Sequence, residues 1–244
     1  MDILLVGFGA MNKRVAAIAE ESGHKIAGVV TPAAKIDASY PIFTNFDNPL
    51  PEVDVVIDFS HPTLTTQLLK STISVPLIIA TTGDKDTLVE LMQKKAKTQP
   101  VFFSANMSYG VHILTEIIKY ATPLLQDFDI EMIEKHHNQK VDAPSGTLVK
   151  LYDAIVQNSR QDAQPVHDRH EKSEKRDNRE IGISSIRGGT IVGEHEVLYA
   201  GHDEVISIKH TAQSKDIFAS GALTVAAQLL NKPNGYYTYN NLGE

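Results

Sequence analysis

The feature that most constrains the fold is an alternation of short apolar runs with helical patterns near the start of the chain. Five strand-like segments rich in valine and isoleucine are Ile3–Val6, Lys25–Val30, Val53–Phe59, Pro76–Thr82 and Val101–Ala105. Helical patterns lie at Met11–Glu21, Pro62–Lys70 and Asp86–Lys97. Such alternation predicts an α/β fold in which helices cover both faces of a parallel sheet.

The second half of the chain follows a different pattern. A helix is expected near Val111–Leu125, a strand at Asp129–Glu134 and another helix near Thr147–Gln157. Three segments with alternating polarity and glycine-rich joints follow: Ile181–Arg187, Thr190–Tyr199 and Glu204–Thr211. They predict antiparallel strands in a second, mixed sheet. Ser214 is a candidate cap for a final amphipathic helix at Asp216–Leu230.

Composition excludes several classes of function. The net charge of −7 provides no overall basic field for nucleic acid or an anionic membrane. The chain has no cysteine, which removes disulfides, cysteine-ligated zinc and thiol nucleophiles, and which fits a cytoplasmic setting. We expect neither a signal peptide nor a membrane span. The segment Ser159–Glu180 is dense in charges of both signs. This composition favours a solvated loop over an interaction segment.

The turn after the first strand is a candidate dinucleotide site. Gly7-Phe8-Gly9 allows a tight turn and close approach of a pyrophosphate to the following helix N-terminus. Asn12 stands where the usual G-x-G-x-x-G fingerprint has its third glycine, so a purely structural turn is the alternative. The candidate cofactor contacts here are Gly7, Phe8, Gly9, Ala10, Met11 and Asn12.

The second strand ends in threonine and proline, without the acidic residue that holds a ribose 2′-hydroxyl. Thr31 can bind that hydroxyl without repelling a 2′-phosphate, and Lys35 lies close enough in sequence to reach such a phosphate. We therefore expect NADPH to be accepted, alone or together with NADH.

Small and polar residues follow two further strands, where ligands bind in open α/β sheets. They are Ala80, Thr81 and Thr82 after the fourth strand, and Ser104, Ala105, Asn106 and Met107 after the fifth. These positions suit contacts with a nicotinamide ribose. Ordinary turn chemistry explains the same residue types equally well.

The densest group of reactive side chains lies between Glu131 and Thr147. His136 and His137 can deliver a proton near neutral pH, and Lys140 can bind a carboxylate or supply a second proton. Ser145-Gly146-Thr147 opens the next helix and predicts an anion site. The segment therefore suits a small dicarboxylate that must gain a proton.

Two simpler interpretations of this segment compete with that one. Zinc binding is disfavoured because adjacent histidines point to opposite sides of an extended chain and no H-x-x-x-H spacing is present. Ser145 is also a suitable helix cap without any ligand.

The run E-x-x-E-x-H-H-x-x-K-x-D-A-P-S-G-T resembles the signature of the 4-hydroxy-tetrahydrodipicolinate reductase (dihydrodipicolinate reductase) family. The resemblance extends to the N-terminal turn, to Ala80–Gly83, to Ala105–Ser108 and to Arg187–His195. The glycine turn is one residue shorter than the family pattern, and the second strand lacks the family's acid and base. Both departures concern the cofactor.

The resemblance implies a role for individual residues. His136 matches the catalytic proton donor, and Lys140 matches a second catalytic residue that contacts a substrate carboxylate. His137, Gly146 and Thr147 match substrate-binding positions, with Ser145 supporting the same loop. Arg187, His195 and Phe218 are left without an assigned role.

The resemblance also implies an architecture and a reaction. A Rossmann-type dinucleotide-binding domain would comprise residues 1–106 and 214–244, and residues 107–213 would bind substrate and build a homotetramer. Asn106–Gly110 and Gln213–Lys215 are the expected hinges. The implied reaction is NAD(P)H-dependent reduction of a cyclic imine after loss of water, in lysine biosynthesis. A semialdehyde dehydrogenase is disfavoured by the lack of cysteine, and a non-catalytic dinucleotide sensor is the remaining alternative.

Overall fold

A computed structural model describes residues 1–32, 38–158, 162–170 and 172–243. The chain forms two compact units, one made of Met1–Ser108 with Asp216–Glu244 and the other of Tyr109–Lys215. The boundaries expected from the sequence were 106/107 and 213/214. Within the described ranges, no helix is long and apolar enough to cross a membrane.

The first unit is built around a seven-stranded sheet in which every strand pair is parallel. Its elements are β1 (Asp2–Val6), α1 (Ala10–Glu21), β2 (Lys25–Val30), β3 (Ile42–Phe43), β4 (Val55–Asp58), α2 (Pro62–Lys70), β5 (Leu77–Ile79), α3 (Lys85–Lys95), β6 (Pro100–Phe103), α6 (Asp216–Leu229) and β12 (Gly235–Tyr237). The strand order is β12-β6-β5-β4-β1-β2-β3.

Both faces of this sheet are buried, as the sequence predicts. Side chains alternate along β1, so that Ile3 and Leu5 join a core with α1 and α6, whereas Leu4 and Val6 join a core with α2 and α3. The C-terminal helix α6 thus completes the domain that β1 begins. The predicted α/β class is confirmed.

Two short edge strands of the first unit were not predicted. Ile42–Phe43 pairs with β2 at one edge, and Gly235–Tyr237 pairs with β6 at the other. Segments of two or three residues are too short to show the alternation that marks a strand. Their pairing depends on the neighbouring strand that receives them.

The second unit contains a five-stranded sheet in the order β11-β10-β7-β9-β8. Its elements are α4 (Tyr109–Ala121), a 3₁₀ turn (Thr122–Leu124), β7 (Asp129–His136), α5 (Gly146–Asn158), β8 (Gln164–Val166), β9 (Glu180–Arg187), β10 (Gly193–Ala200) and β11 (Val205–Ala212). Antiparallel pairs join β10 to β7 and to β11, whereas β9 is parallel to β7 and to β8. The sheet is mixed, as predicted.

The prediction that Ile181–Arg187 is antiparallel to its neighbours was wrong. The glycine-rich joint at Gly188-Gly189 does not close a hairpin, because β9 and β10 flank β7 on opposite sides. The turn instead contacts the end of β7, where the N–H of Gly188 donates to the carbonyl of His136 over 2.9 Å. Glycine-rich joints therefore did not reveal which strands pair.

The charged segment 159–180 is more ordered than a solvated loop over its described part. Gln164–Val166 forms strand β8 beside β9. Arg176 donates to Asp129 over 2.7 Å, to Glu131 over 3.2 Å and to the carbonyl of Ile130 over 3.0 Å. These contacts tie the segment to β7, so its charged residues serve the sheet as well as solvent.

Replacing Gly221 with alanine tests the packing of α6. A Cβ at this position would lie 1.9 Å from the carbonyl oxygen of Met107, a backbone atom that cannot easily move. We expect Gly221→Ala to destabilise the protein by about 2–3 kcal/mol, measured by thermal or urea unfolding. Ser220→Ala, at an exposed position of the same helix, is the control and should leave stability unchanged. Equal stability of the two variants would contradict this packing.

Candidate active site

The predicted cofactor turn has the conformation that its glycines require. Gly7 has a φ of +77°, and a Cβ there would lie 2.9 Å from Cβ of Ser60. Its N–H donates to the carbonyl of Val30 over 2.8 Å, which joins the turn to β2. A Cβ added at Gly9, the N-cap of α1, would meet no described atom within 4 Å. The first glycine is thus needed for the fold, whereas the second leaves open space beside the helix N-terminus.

Asn12 explains how the turn tolerates the loss of the third fingerprint glycine. Its side chain is fully buried, and Nδ2 donates to the carbonyls of Val6 and Gly7 over 2.8 and 2.7 Å. Asn12 therefore holds the turn from inside the fold. The N-terminus of α1 has no side-chain cap and no acidic residue in its first turn, so its positive dipole end is uncompensated.

The other predicted cofactor residues lie after β2, β5 and β6 in the same unit. Thr31 and Ala80 are largely buried, and Thr82 and Ala105 are exposed. Ser104 Oγ donates to the carbonyl of Asn106 over 2.6 Å and so closes the turn after β6. Lys35 lies outside the described residues.

Two of these predicted residues are engaged within the fold. Met107 is 1% exposed, and its carbonyl accepts a hydrogen bond from Tyr239. Thr81 Oγ1 lies 2.7 Å from Thr65 Oγ1, which donates to Asp58 Oδ2 over 2.7 Å. The Met107 carbonyl and the Thr81 hydroxyl are therefore engaged by the protein itself at the strand ends.

Asp58 was not singled out from the sequence, although it lies within the predicted strand Val53–Phe59 and ends the observed strand β4. It is fully buried, and burial raises the pKa of its carboxyl above the usual value, against the opposing effect of hydrogen bonds from Ser60 and Thr65. The N–H of Ser60 donates to Asp58 Oδ1 over 2.7 Å. Because Ser60 also packs against Gly7, Asp58 helps to fix the predicted cofactor turn.

In the second unit, one face of β7 changes from apolar to ionisable toward its carboxyl end. Ile130 and Met132 are buried in the core of the unit, and Glu134 and His136 follow at the same alternating positions. All four side chains are at most 9% exposed. The predicted proton donor therefore lies at the end of a central strand, two positions from a buried carboxylate.

Four groups contact the Glu134 carboxylate, one of them the Ser185 side chain. Oε1 accepts from Arg187 Nη2 over 2.6 Å and from the N–H of Ser145 over 3.2 Å, and Oε2 lies 2.7 Å from His136 Nδ1. Burial alone would raise the pKa of Glu134, but hydrogen bonds from Arg187, Ser185 and Ser145 outweigh it and keep the pKa below its usual value. Glu134 is therefore a buried anion.

The two buried histidines of this site lie side by side. The ring centroids of His136 and His195 are 5.1 Å apart in an edge-to-face arrangement. Burial lowers the pKa of His136, an effect that Glu134 opposes and that Lys140 and Arg187 reinforce. Burial, with a contribution from His136, lowers the pKa of His195 to about 4. His195 is thus neutral at physiological pH.

The predicted anion-binding turn begins α5. Ser145 is buried; its Oγ accepts from the N–H of Leu148 over 3.2 Å and lies 3.0 Å from His195 Nε2. Ser145 is thus a helix cap, the simpler of the two roles that its sequence position allows. A Cβ at Gly146 would meet no described atom within 4 Å. Packing within the described protein does not require glycine there, and the open space suits the close approach of a ligand.

Lys140 and His137 lie on the loop that leads from β7 into this turn. The N–H of Lys140 donates to the carbonyl of His137 over 3.1 Å, and Nζ lies 2.8 Å from Asp142 Oδ1. Arg187 Nη2 also donates to the carbonyl of Asp142 over 2.7 Å. Arg187 thus connects the loop that carries Lys140 with the carboxylate beside His136. The structure brings His136, Lys140 and Ser145 into one network through Arg187 and Glu134.

The sequence did not assign Glu134, Arg187 or His195 to the network. Glu134 could have been recognised from the sequence because it lies two residues before His136 and so points to the same face of the strand. Arg187 and His195 come from β9 and β10, and only strand pairing places them beside β7. Phe218, also left open, packs against the core of the first unit.

Glu134, His136 and His195 are the one group among the described residues whose ligand-type atoms lie close enough together to surround a cation, within 4.8 Å. The adjacent His136 and His137 disfavoured zinc in the sequence, but His195, which is distant in sequence, lies beside His136 in the fold. Arg187 and Ser145 already engage the Glu134 carboxylate, and the positive charge of Arg187 opposes a second cation. The group is therefore better suited to hydrogen bonding among its members than to holding a cation.

Comparison with known proteins identifies relatives along the whole chain. A family profile described as "Dihydrodipicolinate reductase, N-terminus" matches residues 1–107, and one described as "Dihydrodipicolinate reductase, C-terminus" matches residues 110–242. The 4-hydroxy-tetrahydrodipicolinate reductase of Staphylococcus haemolyticus is 57% identical over 99% of this chain and 100% of its own length. That of Staphylococcus carnosus is 55% identical over 99% of both chains.

Solved structures show the same fold at lower identity. A dipicolinate-bound dihydrodipicolinate reductase from Paenisporosarcina sp. TG-14 superposes with a TM-score of 0.74 at 20% identity, covering 98% of this chain and 97% of its own. A diaminopimelate (DAP) dehydrogenase from C. glutamicum superposes with a TM-score of 0.58 at 13% identity, covering 99% and 93%. The family profiles and the curated relatives both span the chain, and the resemblance noted in the sequence is confirmed: this chain belongs to the 4-hydroxy-tetrahydrodipicolinate (dihydrodipicolinate) reductase family.

Proposed function

We propose that the protein reduces 4-hydroxy-tetrahydrodipicolinate to tetrahydrodipicolinate, with loss of water and with NADH or NADPH as the reductant, in the diaminopimelate route to lysine. The observation that carries the proposal is the network of His136, Lys140 and the start of α5 in a chain of this family. A cytoplasmic location stays a prediction.

The substrate is a cyclic dicarboxylate, and the second unit offers it several positive or donor groups. Lys140 supplies a cation on the loop after β7, and Gly146 and Thr147 present backbone N–H groups at the N-terminus of α5. His137 lies on the same loop. We assign one substrate carboxylate to Lys140 and the turn at Gly146–Thr147. Ser145 stabilises that turn as the helix cap, because its Oγ accepts a hydrogen bond from the N–H of Leu148.

His136 is the proposed proton donor. It is 9% exposed, ends a central strand and is paired with a buried anion, so its ring is held in one place. The nicotinamide, when bound, supplies a hydride to a ring carbon of the substrate. His136 then delivers the proton that quenches the electron density created next to the reduced position.

The first unit offers a fitting site for the dinucleotide. The uncapped N-terminus of α1 and the open space beside Gly9 suit a pyrophosphate, and Gly7 and Asn12 fix the turn. Thr31, the strand end at Ala80–Thr82 and the turn at Ser104–Asn106 are the further proposed contacts.

We also propose a homotetramer assembled through the second unit. β11 is an edge strand; Val205 lies on its exposed face and is 61% exposed, and Ile206, on the opposite face, is 40% exposed. Exposed apolar residues on a strand at the edge of a sheet favour burial against another chain.

Replacing His136 tests the assignment of the proton donor. We expect His136→Gln to lower kcat by about 100-fold or more with a modest change in KM, because the residue acts in the transition state. Steady-state oxidation of NAD(P)H with enzymatically generated substrate measures both constants. His202→Gln, at a side chain that is 98% exposed, is the control and should behave as the wild type. A near-normal kcat for His136→Gln would refute the assignment.

The pH dependence of catalysis should differ between free and substrate-bound protein. An acid must be protonated to act, so activity should fall as pH rises through the pKa of His136. Burial lowers that pKa in the free protein, whereas the negative charge of a bound dicarboxylate raises it. We therefore expect the descending limb of kcat to lie at higher pH than that of kcat/KM. Coincident limbs would argue against a titrating His136.

Cofactor choice follows from the end of β2. Thr31 carries no charge that repels a 2′-phosphate, so we expect measurable turnover with NADPH as well as with NADH. Parallel steady-state kinetics with the two cofactors, at saturating substrate, give kcat/KM for each. Turnover with NADH and none with NADPH would overturn this expectation.

A further inference from the structure

We infer that Glu134 is the positioning residue for the proton donor: its buried carboxylate binds Nδ1 of His136 so that the proton leaves from Nε2, and Arg187 holds that carboxylate in place. The inference deepens the proposed function, because it rests on His136 as the acid. It also gives Arg187 a role that the sequence left open.

The contacts of Glu134 leave one of its oxygens to His136. Oε1 is taken by Arg187 Nη2 at 2.6 Å and by the N–H of Ser145 at 3.2 Å. Oε2 lies 2.7 Å from His136 Nδ1 in an ion-pair contact, and neither of these two buried atoms makes a hydrogen bond of standard geometry with any described residue. The two atoms therefore lie next to each other, with no competing hydrogen bond to either.

A buried carboxylate at this position has a cost that packing alone does not explain. Ile130 and Met132 fill the preceding positions of the same strand face with apolar side chains. A third apolar side chain at position 134 would continue the core at no electrostatic cost. Burying a charge is unfavourable unless it is paired and hydrogen-bonded. The chain instead supplies Arg187 as a counterion, and the result is an anion held against one nitrogen of His136.

The other ring nitrogen of His136 faces a position without a side chain. Gly193 begins β10, and a Cβ there would lie 3.2 Å from His136 Nε2. The next two positions of β10, Glu194 and His195, carry full side chains. Glycine at 193 thus keeps the Nε2 edge clear, while Glu134 occupies the Nδ1 edge.

Charged and titratable groups approach His136 from every strand and loop packed around it. They are Glu134 on β7, Lys140 on the following loop, Arg187 on β9, His195 on β10 and, opposite His195, His210 on β11. Lys140 and Arg187 disfavour a second positive charge, and His195 is neutral. Among these groups, Glu134 alone stabilises the imidazolium.

The proton transfer then balances without a further group. The imidazolium of His136 carries one proton on each nitrogen, and the Nε2–H bond breaks as the substrate carbon gains that proton. The electron pair of the bond stays on Nε2. The neutral ring keeps its Nδ1 proton, which Glu134 accepts as a hydrogen bond, and Glu134 remains ionised throughout.

Replacing Glu134 with glutamine tests this role. We expect Glu134→Gln to lower kcat about 10-fold to 100-fold at neutral pH with little change in KM, and to move the descending limb of kcat/KM to lower pH. Glu196→Gln, which removes a carboxylate from the neighbouring strand β10, should leave both unchanged. Nitrogen-15 spectra of labelled histidine, assigned with His136→Gln, should show neutral His136 as the Nδ1–H tautomer in the wild type and a mixture in Glu134→Gln.

A second pair of variants separates positioning from folding. Glu134→Gln leaves Arg187 without its counterion, which could destabilise the fold. The double variant Glu134→Gln/Arg187→Gln removes both charges together. Thermal unfolding of the single and double variants shows which of them folds. The pH and tautomer changes should persist in the folded double variant. If both of these variants unfold, Glu134→Asp tests the role of Glu134 instead. Its carboxylate is one methylene shorter, so we expect a smaller fraction of neutral His136 in the Nδ1–H tautomer than in the wild type.

The outcomes distinguish this inference from the function on which it rests. A folded Glu134 variant with the wild-type pH profile and tautomer, alongside an inactive His136→Gln, overturns the role of Glu134 and leaves the proton donor in place. Full activity of His136→Gln, or no reduction of the substrate by the wild type, overturns the proposed function itself.

Discussion

The second unit depends on one buried anion. The Glu134 carboxylate contacts β9 through Arg187, the start of α5 through the N–H of Ser145, and the end of its own strand through His136. Removing the charge would leave the partly buried Arg187 without a counterion and the helix start without its acceptor. The same interaction therefore stabilises the unit and orders the site.

Most of the α/β architecture was predictable because its signals are local. Strands buried on both faces read as continuous apolar runs, and helices such as Pro62–Lys70 show their period within a few turns. Strand pairing in the second unit is set by contacts distant in sequence. Nothing within Ile181–Arg187 shows that β7, rather than β10, is its neighbour. The edge strands at 42–43 and 235–237 are too short to carry a pattern.

The candidate site shows the same difference between signals that are local in sequence and contacts between distant residues. His136, Lys140 and Ser145–Thr147 lie in one contiguous segment, so residue types and spacing were enough to single them out. Arg187 and His195 reach the segment only because β9 and β10 flank β7. Asn12 is a converse case: its sequence position suggested a weak cofactor fingerprint, and its buried side chain explains the departure as an internal tether of the turn.

The proposed role of His136 as an acid gives a physical reason for its position on a strand rather than on a loop. An acid that acts in the transition state must be held in position before the substrate arrives, since any search for the right geometry adds to the barrier. β7 is the middle strand of its sheet and is hydrogen-bonded on both sides up to Glu134 and beyond. A loop residue such as Lys140 can still bind a carboxylate, because a charge acts over a wider range of positions than a proton transfer does. The position of His136 on a central strand and of Lys140 on a loop therefore matches the different demands of the acid catalysis and anion binding proposed for them.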